Sequence, residues 1–460
     1  MRHLIKKLKN NTIVGIIIGV LLCSGIVYAA SYYAKDVTYT PGDKTWNVSN
    51  VNDAIDSLYN SRKCNMNGTE PVITGDLIPI TLSNDGTVTY ANTKENWYNY
   101  CKKEWANAVI LIDSPSKTYK VGDTILEDDI ESYFVWIPRY RYKLWNTGTA
   151  IKNAHEIEIE FETKETTPST GDENGEWLTH PAFTTLDVNG IWVGKFETGY
   201  KGATSTSGAE VNGNDSTKII VKPNVYSWRK NTVYNFFVAS YNYNRDLDSH
   251  MMKNTEWGAV AYLSHSKYGI NNEVNINNNS SYKTGYSALP STNQQTYPGT
   301  YGDGSTYNNA YNTEIGYLAS TTGNITGVYD MSGCAHEYMA SYRSGTLGNS
   351  GFTTTTIANY DSKYFDVYNA SSATTTYNYR ILGDATGEVG PFKNYSDGDG
   401  TSRYHNSWYD DVANFISSSN SWFLRGGYYY NGALNGQFSL SSYPGNTYNI
   451  VGSRLVLSPK

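Results

Sequence analysis

The spacing of apolar and polar positions predicts a few ordered elements separated by long polar stretches. The first is an uncharged run from Thr12 to Ala34, apolar from Ile13 to Ala30, which follows the basic residues Arg2, Lys6, Lys7 and Lys9. The run is close to the roughly 20 residues that a bilayer crossing needs. A basic flank ahead of it predicts Met1 on the cytoplasmic side and everything after Ser31 outside. Val27-Tyr28-Ala29 also has the small-residue form of a signal-peptidase site. Residues 1–34 are therefore either an anchor helix with a basic tail or a signal removed after Ala29. The first places the chain on the extracellular face of a membrane, the second makes it secreted. Leu22 is too large to precede a lipidated Cys23, which argues against a lipoprotein. No later segment of the sequence is apolar enough to span a membrane.

Residues 35–66 read as a polar stalk. Within it Ser49 caps a short amphipathic helix with Val51, Ala54, Ile55 and Leu58 at helical spacing. Such a helix is too short to be stable alone. The pattern then becomes strand-like. Leu77 to Leu82, the turn Asn84-Asp85-Gly86 and Val88 to Tyr90 predict a hairpin. After the aromatic stretch from Trp97 to Trp105, Ala108 to Ile112 predicts a buried strand, so residues 67–130 read as a small β-rich domain. From Tyr133 onward, residues 131–460 show two helical patterns, Thr232 to Tyr241 and Lys253 to Ser264. The rest is Gly, Asn, Ser, Thr and Tyr with short aromatic strands. Gly302 to Ser305 and Thr353 to Thr356 read as low-complexity loops. So much irregular chain predicts an α+β head with long loops packed on a small scaffold.

Composition sharpens this picture. Charged residues make up 17% of the chain, while there are 42 Tyr and 11 Trp, so Asn, Ser, Thr and Tyr hydroxyls must solvate it. All acids follow the apolar run and four basic residues precede it. The remainder holds 32 basic against 43 acidic side chains, a net charge of −11. A field of that sign repels phosphate backbones and excludes nucleic acid as a partner. Outside the apolar run, Cys64 and Cys101 could pair in an oxidising space, which leaves Cys334 alone. Asp397 and Asp399 look like part of a calcium loop, but the remaining ligands are missing and a turn is the better reading. The sequence thus implies no cofactor and no metal.

Four landmarks then occur in one order. They are Ile191 to Thr198 (IWVGKFET), Asn254 to Ala261 (NTEWGAVA), Asn324 to Gly333 (NITGVYDMSG) continuing to Glu337-Tyr338, and a close made of Arg425-Gly426-Gly427 and Gly452-Ser453-Arg454. Together they resemble the formylglycine-generating-enzyme, or sulfatase-modifying-factor, family from about Trp136 to Leu457. The resemblance implies a C-type-lectin-like fold with small twisted sheets, two helices and a large irregular surface. It makes Asp330, Glu337, Arg425 and Arg454 buried partners that anchor loops, with Gly426 and Gly427 giving close backbone approach. Active members carry two copper-binding cysteines after the Arg-Gly-Gly motif, and no cysteine follows Cys334 here. Without those thiolates the oxidase chemistry is absent, so the resemblance is to a non-catalytic member. Cys334-Ala335-His336 also departs from the family pattern and reads as a small buried residue beside an aromatic-slot histidine.

Between the two closing motifs the chain is almost all Tyr, Asn, Ser and Gly. That mixture of rigid anchors and adaptable polar groups is the chemistry of binding surfaces. It resembles the variable region of C-type-lectin-like proteins diversified by retroelements, in which scrambled adenines of Asn codons give Asn, Tyr, Ser, Asp, Thr and Ile. Tyr428, Tyr430, Asn431, Asn435, Ser439, Ser441, Tyr443, Asn446, Tyr448 and Asn449 fit that menu. They are the expected contacts for a surface ligand, protein or glycan, with Trp422 and Phe423 as flanking support. Two alternatives stand beside this reading: an enzyme of the same superfamily working without cysteines, and a surface-coat protein whose Tyr/Asn face touches other copies.

Overall fold

The strand Ile130–Pro138 organises the computed structural model, because eight of its nine residues are buried. Every backbone amide and carbonyl in such a strand needs a partner. It pairs antiparallel with Asn107–Leu111 on one edge and Gly190–Gly194 on the other. The sheet extends past the first neighbour through Ile78–Leu82, Val88–Tyr90 and Thr124–Ile125. Past the second it runs through Leu455–Leu457 to His250–Met251, which makes eight strands. Trp136 and Trp192 are register partners on adjacent strands, with ring centroids 5.2 Å apart.

This sheet runs across the expected boundary at residue 130. The strands of residues 67–130 are half of one hydrogen-bonded sheet with strands from 131–460, and both contribute to one buried core. A strand as buried as Ile130–Pro138 could not end a domain with one edge unpaired.

The structure describes residues 37–38, 40, 48–55, 64–113, 118–143, 154, 156–171, 175–204, 213–288, 309–368, 407–412, 414–432 and 435–460. The chain divides into two compact units, Met1–Cys64 and Asn65–Lys460. In the first, residues 51–55 are helical, with Ala54 buried and Ile55 exposed. The apolar run at 12–34, the site after Ala29, the Gly302 to Ser305 loop, and Asp397 with Asp399 lie outside the described residues. Among the described residues no helix is long and apolar enough to cross a membrane. Cys64 and Cys101 are both disulfide-bonded, whereas Cys334 is free and buried.

A second sheet of five strands carries the region of interest. Its centre is His336–Arg343, which pairs antiparallel with Trp422–Gly426 and parallel with both Asp366–Tyr368 and Val451–Ser453. Gly436–Tyr443 pairs on the far side of Trp422–Gly426. Two helices pack into the core. Val233–Tyr243 is capped by Thr232, whose side chain accepts from the Asn235 N–H, and buries Val233, Phe236, Phe237 and Ala239. Asn254–Ser264 is buried on every side, as expected of a helix enclosed by core. Its Glu256 carboxylate accepts from the Lys253 N–H at 2.8 Å, and Trp257 Nε1 donates to the Gln437 carbonyl at 2.8 Å. The expected loop at Thr353 to Thr356 is instead part of a short helix, Thr354–Ile357. Thr353 and Thr356 cap each other's N–H groups with their hydroxyls, at 2.8 and 3.1 Å.

Candidate ligand-binding surface

Two turns hang from the second sheet, and a buried polar frame fixes their backbones. Arg454 grips Glu337 with two bonds of 3.0 and 2.6 Å and donates to the Gly194 carbonyl at 2.9 Å. This ties the sheet centre to the first sheet. Both partners are fully buried. Burial raises the Glu337 carboxyl and Arg454 opposes that rise, while the same pairing raises Arg454 against its own burial. The short two-point geometry makes the ion pair the relevant state.

Asp330, in a left-handed conformation at φ 60°, accepts from Asn277 Nδ2 at 2.8 Å and from the Gly285 N–H at 2.9 Å. Arg425 donates to Asn254 Oδ1 at 3.2 Å and to the Gln437 carbonyl at 2.7 Å. Burial lowers its guanidinium to about 9. Glu197 joins this frame, accepting from the Ala335 N–H at 2.9 Å. Burial, reinforced by Glu337 and Asp330, pushes its carboxyl far up. No motif in the sequence marks Glu197 for this role beyond its place in the Ile191 to Thr198 strand pattern.

Gly426 and Gly427 turn the chain out of the sheet at φ 78° and 72°. A Cβ on Gly427 would lie 1.7 Å from Asn435 Oδ1. Asn435 is fully buried, and its Nδ2 donates to the Tyr428 carbonyl at 2.9 Å. It therefore braces the turn from beneath. Gly427→Ala combines a left-handed backbone with this overlap, and should cost at least about 2 kcal/mol. A denaturant midpoint that falls with an unchanged slope would show it, and an unchanged midpoint would contradict it.

The first turn places Tyr428 and Tyr429 partly exposed and Tyr430 43% exposed, with Asn431 beside them. The second, after the strand Gly436–Tyr443, presents Tyr443, Asn446 and Tyr448 partly exposed and Asn449 exposed. Backbone anchors hold it from below. The Lys230 N–H donates to the Tyr448 carbonyl at 3.0 Å, Tyr338 Oη to the Asn446 carbonyl at 3.0 Å, and Arg229 to the Asn449 carbonyl.

Ring contacts join the turns. His336 lies 5.3 Å from Tyr428 and 6.3 Å from Tyr443, Tyr443 lies 4.4 Å from Tyr448, and Tyr429 packs edge-on to Tyr282 at 4.9 Å. Arg229 caps the Tyr282 ring at 3.7 Å, a cation–π contact.

The expected contacts thus separate. Tyr428, Tyr430, Asn431, Tyr443, Asn446, Tyr448 and Asn449 come together on the two turns, and Ser441 is partly exposed on the strand between them. Asn435 and Ser439 are instead buried, at 0% and 1% exposure. Asn435 points beneath its own turn, and Ser439 lies in the buried part of its strand. Trp422 and Phe423 are fully buried in the strand Trp422–Gly426. Tyr282 and Arg229 were missed, since each lies more than a hundred residues away in a stretch with no distinguishing pattern.

His336 gives the surface a titratable floor. Burial lowers its imidazole from 6.5 to about 4. Below 6.5 the unfolded chain takes up a proton that the folded chain refuses until about 4, so this residue erodes stability as pH falls through that window. The native chain should lose up to about 3 kcal/mol more than His336→Phe between pH 6.5 and 4. The raised acids Glu197 and Glu337 act with the opposite sign, so the difference between the two proteins is the readout. Parallel stability curves would contradict the assignment.

No protein-family model and no curated protein matches the chain. Among solved structures, it is similar to the Major Tropism Determinant I1 Variant at 13% identity and TM-score 0.27, over 84% of this chain and 96% of that one. It is also similar to the Major Tropism Determinant P3c Variant at 14% identity and TM-score 0.26, over 84% and 95%. Likeness at that level says nothing of what this chain does.

Proposed function

We propose that this is a non-catalytic ligand-binding protein, displayed on a cell surface or secreted, whose C-type-lectin-like head contacts its partner through the two tyrosine-rich turns. One observation carries the reading. The exposed tyrosines and asparagines of both turns form one surface, while separate buried groups hold the backbone beneath them. Five tyrosines and His336 are linked by ring contacts from 4.4 to 6.4 Å. The polar frame under them uses Glu337, Arg454, Arg425 and Asn435, none of which is exposed. A surface built this way varies its contacts without disturbing its fold, which suits an extracellular recognition module.

A nucleophilic role for Cys334 is disfavoured by its surroundings. Its thiol is fully buried and pushed far up by burial and by Glu197 and Asp330, and a thiol, unlike a thiolate, is a poor nucleophile. The test is retention of the full-length chain on arrays of extracellular proteins and glycans. The reading expects at least one specific partner, and none on either array would count against it.

The finer reading is that the surface is actively diversified. Sequencing the DNA that flanks the gene tests it. A near-copy of the codons for Arg425 to Leu457, differing only at adenines, is expected, and its differences should fall on exposed turn residues. Absence of such a copy would remove diversification and leave ligand binding standing.

A further inference from the structure

The stretch after the strand Val88–Tyr90 carries Thr93, Lys94, Glu95 and Asn96, all exposed, then Trp97 and Tyr98, both partly exposed. Open clefts lie on both sides of it. One, of about 540 Å³, is closed by Met66, Glu70, Pro71 and Ile73. The other, of about 300 Å³, is closed by the strand Ile78–Leu82, Trp105 and the loop at Asn324 to Thr326. Asn96 and Trp97 line both, as a shared ridge. Each volume falls within the roughly 300–1,000 Å³ of small-molecule sites. None of these residues belongs to the tyrosine surface, which is built on the other sheet.

Trp97 differs from the indoles nearby. Trp105 is 1% exposed and donates Nε1 to the Tyr268 carbonyl at 2.8 Å, and Trp192 Nε1 donates to the Val72 carbonyl at 2.8 Å. Trp97 remains partly open, with an edge-on contact to Tyr98 at 5.1 Å. Its indole N–H holds no hydrogen bond among the described residues, and neither do the side chains of Asn84, Asn96 and Glu104.

We infer that this ridge and its two clefts form a second binding site, for a neutral oligosaccharide. A pyranose ring offers an apolar C–H face to stack on an indole and a rim of hydroxyls that both donate and accept. Trp97 supplies the platform, and Asn96, Asn84, Glu70, Glu95 and Glu104 supply the rim. Carboxylates only accept, so they match sugar hydroxyls. An extended proline-rich peptide also stacks on aromatic grooves, but it presents mainly carbonyl acceptors, which three carboxylates cannot satisfy. Beside those three carboxylates, Lys94 is the one cation lining the clefts. The imbalance, on a chain of net charge −7, disfavours uronates, sialylated glycans and phosphates. Clefts on both sides of one ridge suit a chain of several sugars better than a single one.

The test is calorimetric titration of the full-length chain with cellohexaose, maltohexaose, mannohexaose and the hexamer of N-acetylglucosamine. At least one should bind with a Kd between about 0.1 and 5 mM. Trp97→Ala should weaken it at least about tenfold. Trp97→Phe, which keeps a ring, should retain at least about a third of the affinity, and replacing Tyr428 and Tyr430 should change nothing. The proposal is overturned if none binds at about 10 mM, or if Trp97→Ala binds like the native chain. It is equally overturned if a decaproline peptide binds and the sugars do not. Because the probes and variants differ from those of the tyrosine surface, either site can fail without the other.

Discussion

Arg454→Ala is expected to remove about 3–5 kcal/mol of stability, a large share of the about 5–15 kcal/mol that a typical domain has. The guanidinium is fully buried and answers Glu337 at 2.6 and 3.0 Å. Asp330 and Glu197, both buried, raise Arg454 further through their charge. Removing it leaves a buried carboxylate with no partner beside two other acids, and the Gly194 carbonyl loses its donor. Glu337 would then have to take up a proton or draw in water, and the cavity left by arginine would add to the cost. Arg454→Lys keeps the charge but not the two-point geometry, so it should recover only part of the loss. Chemical unfolding of the three proteins measures this. A loss under about 1 kcal/mol for the alanine variant would mean the pair is not the anchor described here.

Replacing Tyr428 and Tyr430 by alanine together should weaken ligand binding by at least about a hundredfold. Central aromatic anchors of interfaces are typically worth about 2 kcal/mol or more each. Stability should fall by no more than about 1–2 kcal/mol, because neither ring is part of the buried frame. Tyr430 is 43% exposed. Tyr428 rests on His336 at 5.3 Å and keeps its backbone bonds to Asn431 and Asn435 whatever its side chain. Binding and unfolding measured on the same sample separate the two roles. If the chain unfolds instead, the tyrosines belong to the core.

Some of this was legible in the residues and some was not. The helices Val233–Tyr243 and Asn254–Ser264 stand where apolar spacing put them, because helical periodicity is local and their caps are written in adjacent residues. The hairpin of Ile78–Leu82 with Val88–Tyr90 was equally local. The continuity of the first sheet was not. It depends on Asn107–Leu111, Ile130–Pro138 and Gly190–Gly194 meeting edge to edge, and no short pattern encodes which distant strands pair. The surface divides in the same way. Asn435 and Asn449 are the same residue in similar company, yet one is buried and the other exposed. The difference lies in two left-handed glycines and the direction they give the chain. Tyr282 and Arg229, both buried, come beneath the turns only through the folding of loops far away in sequence.

Hydroxyl-radical footprinting of the full-length chain, free and saturated with a retained partner, tests the central claim most directly. The account predicts protection at Tyr428 to Asn431 and Tyr443 to Asn449, with the buried residues beneath them unchanged in both states. Protection confined to other parts of the chain, with both turns as reactive as in the free protein, would contradict it.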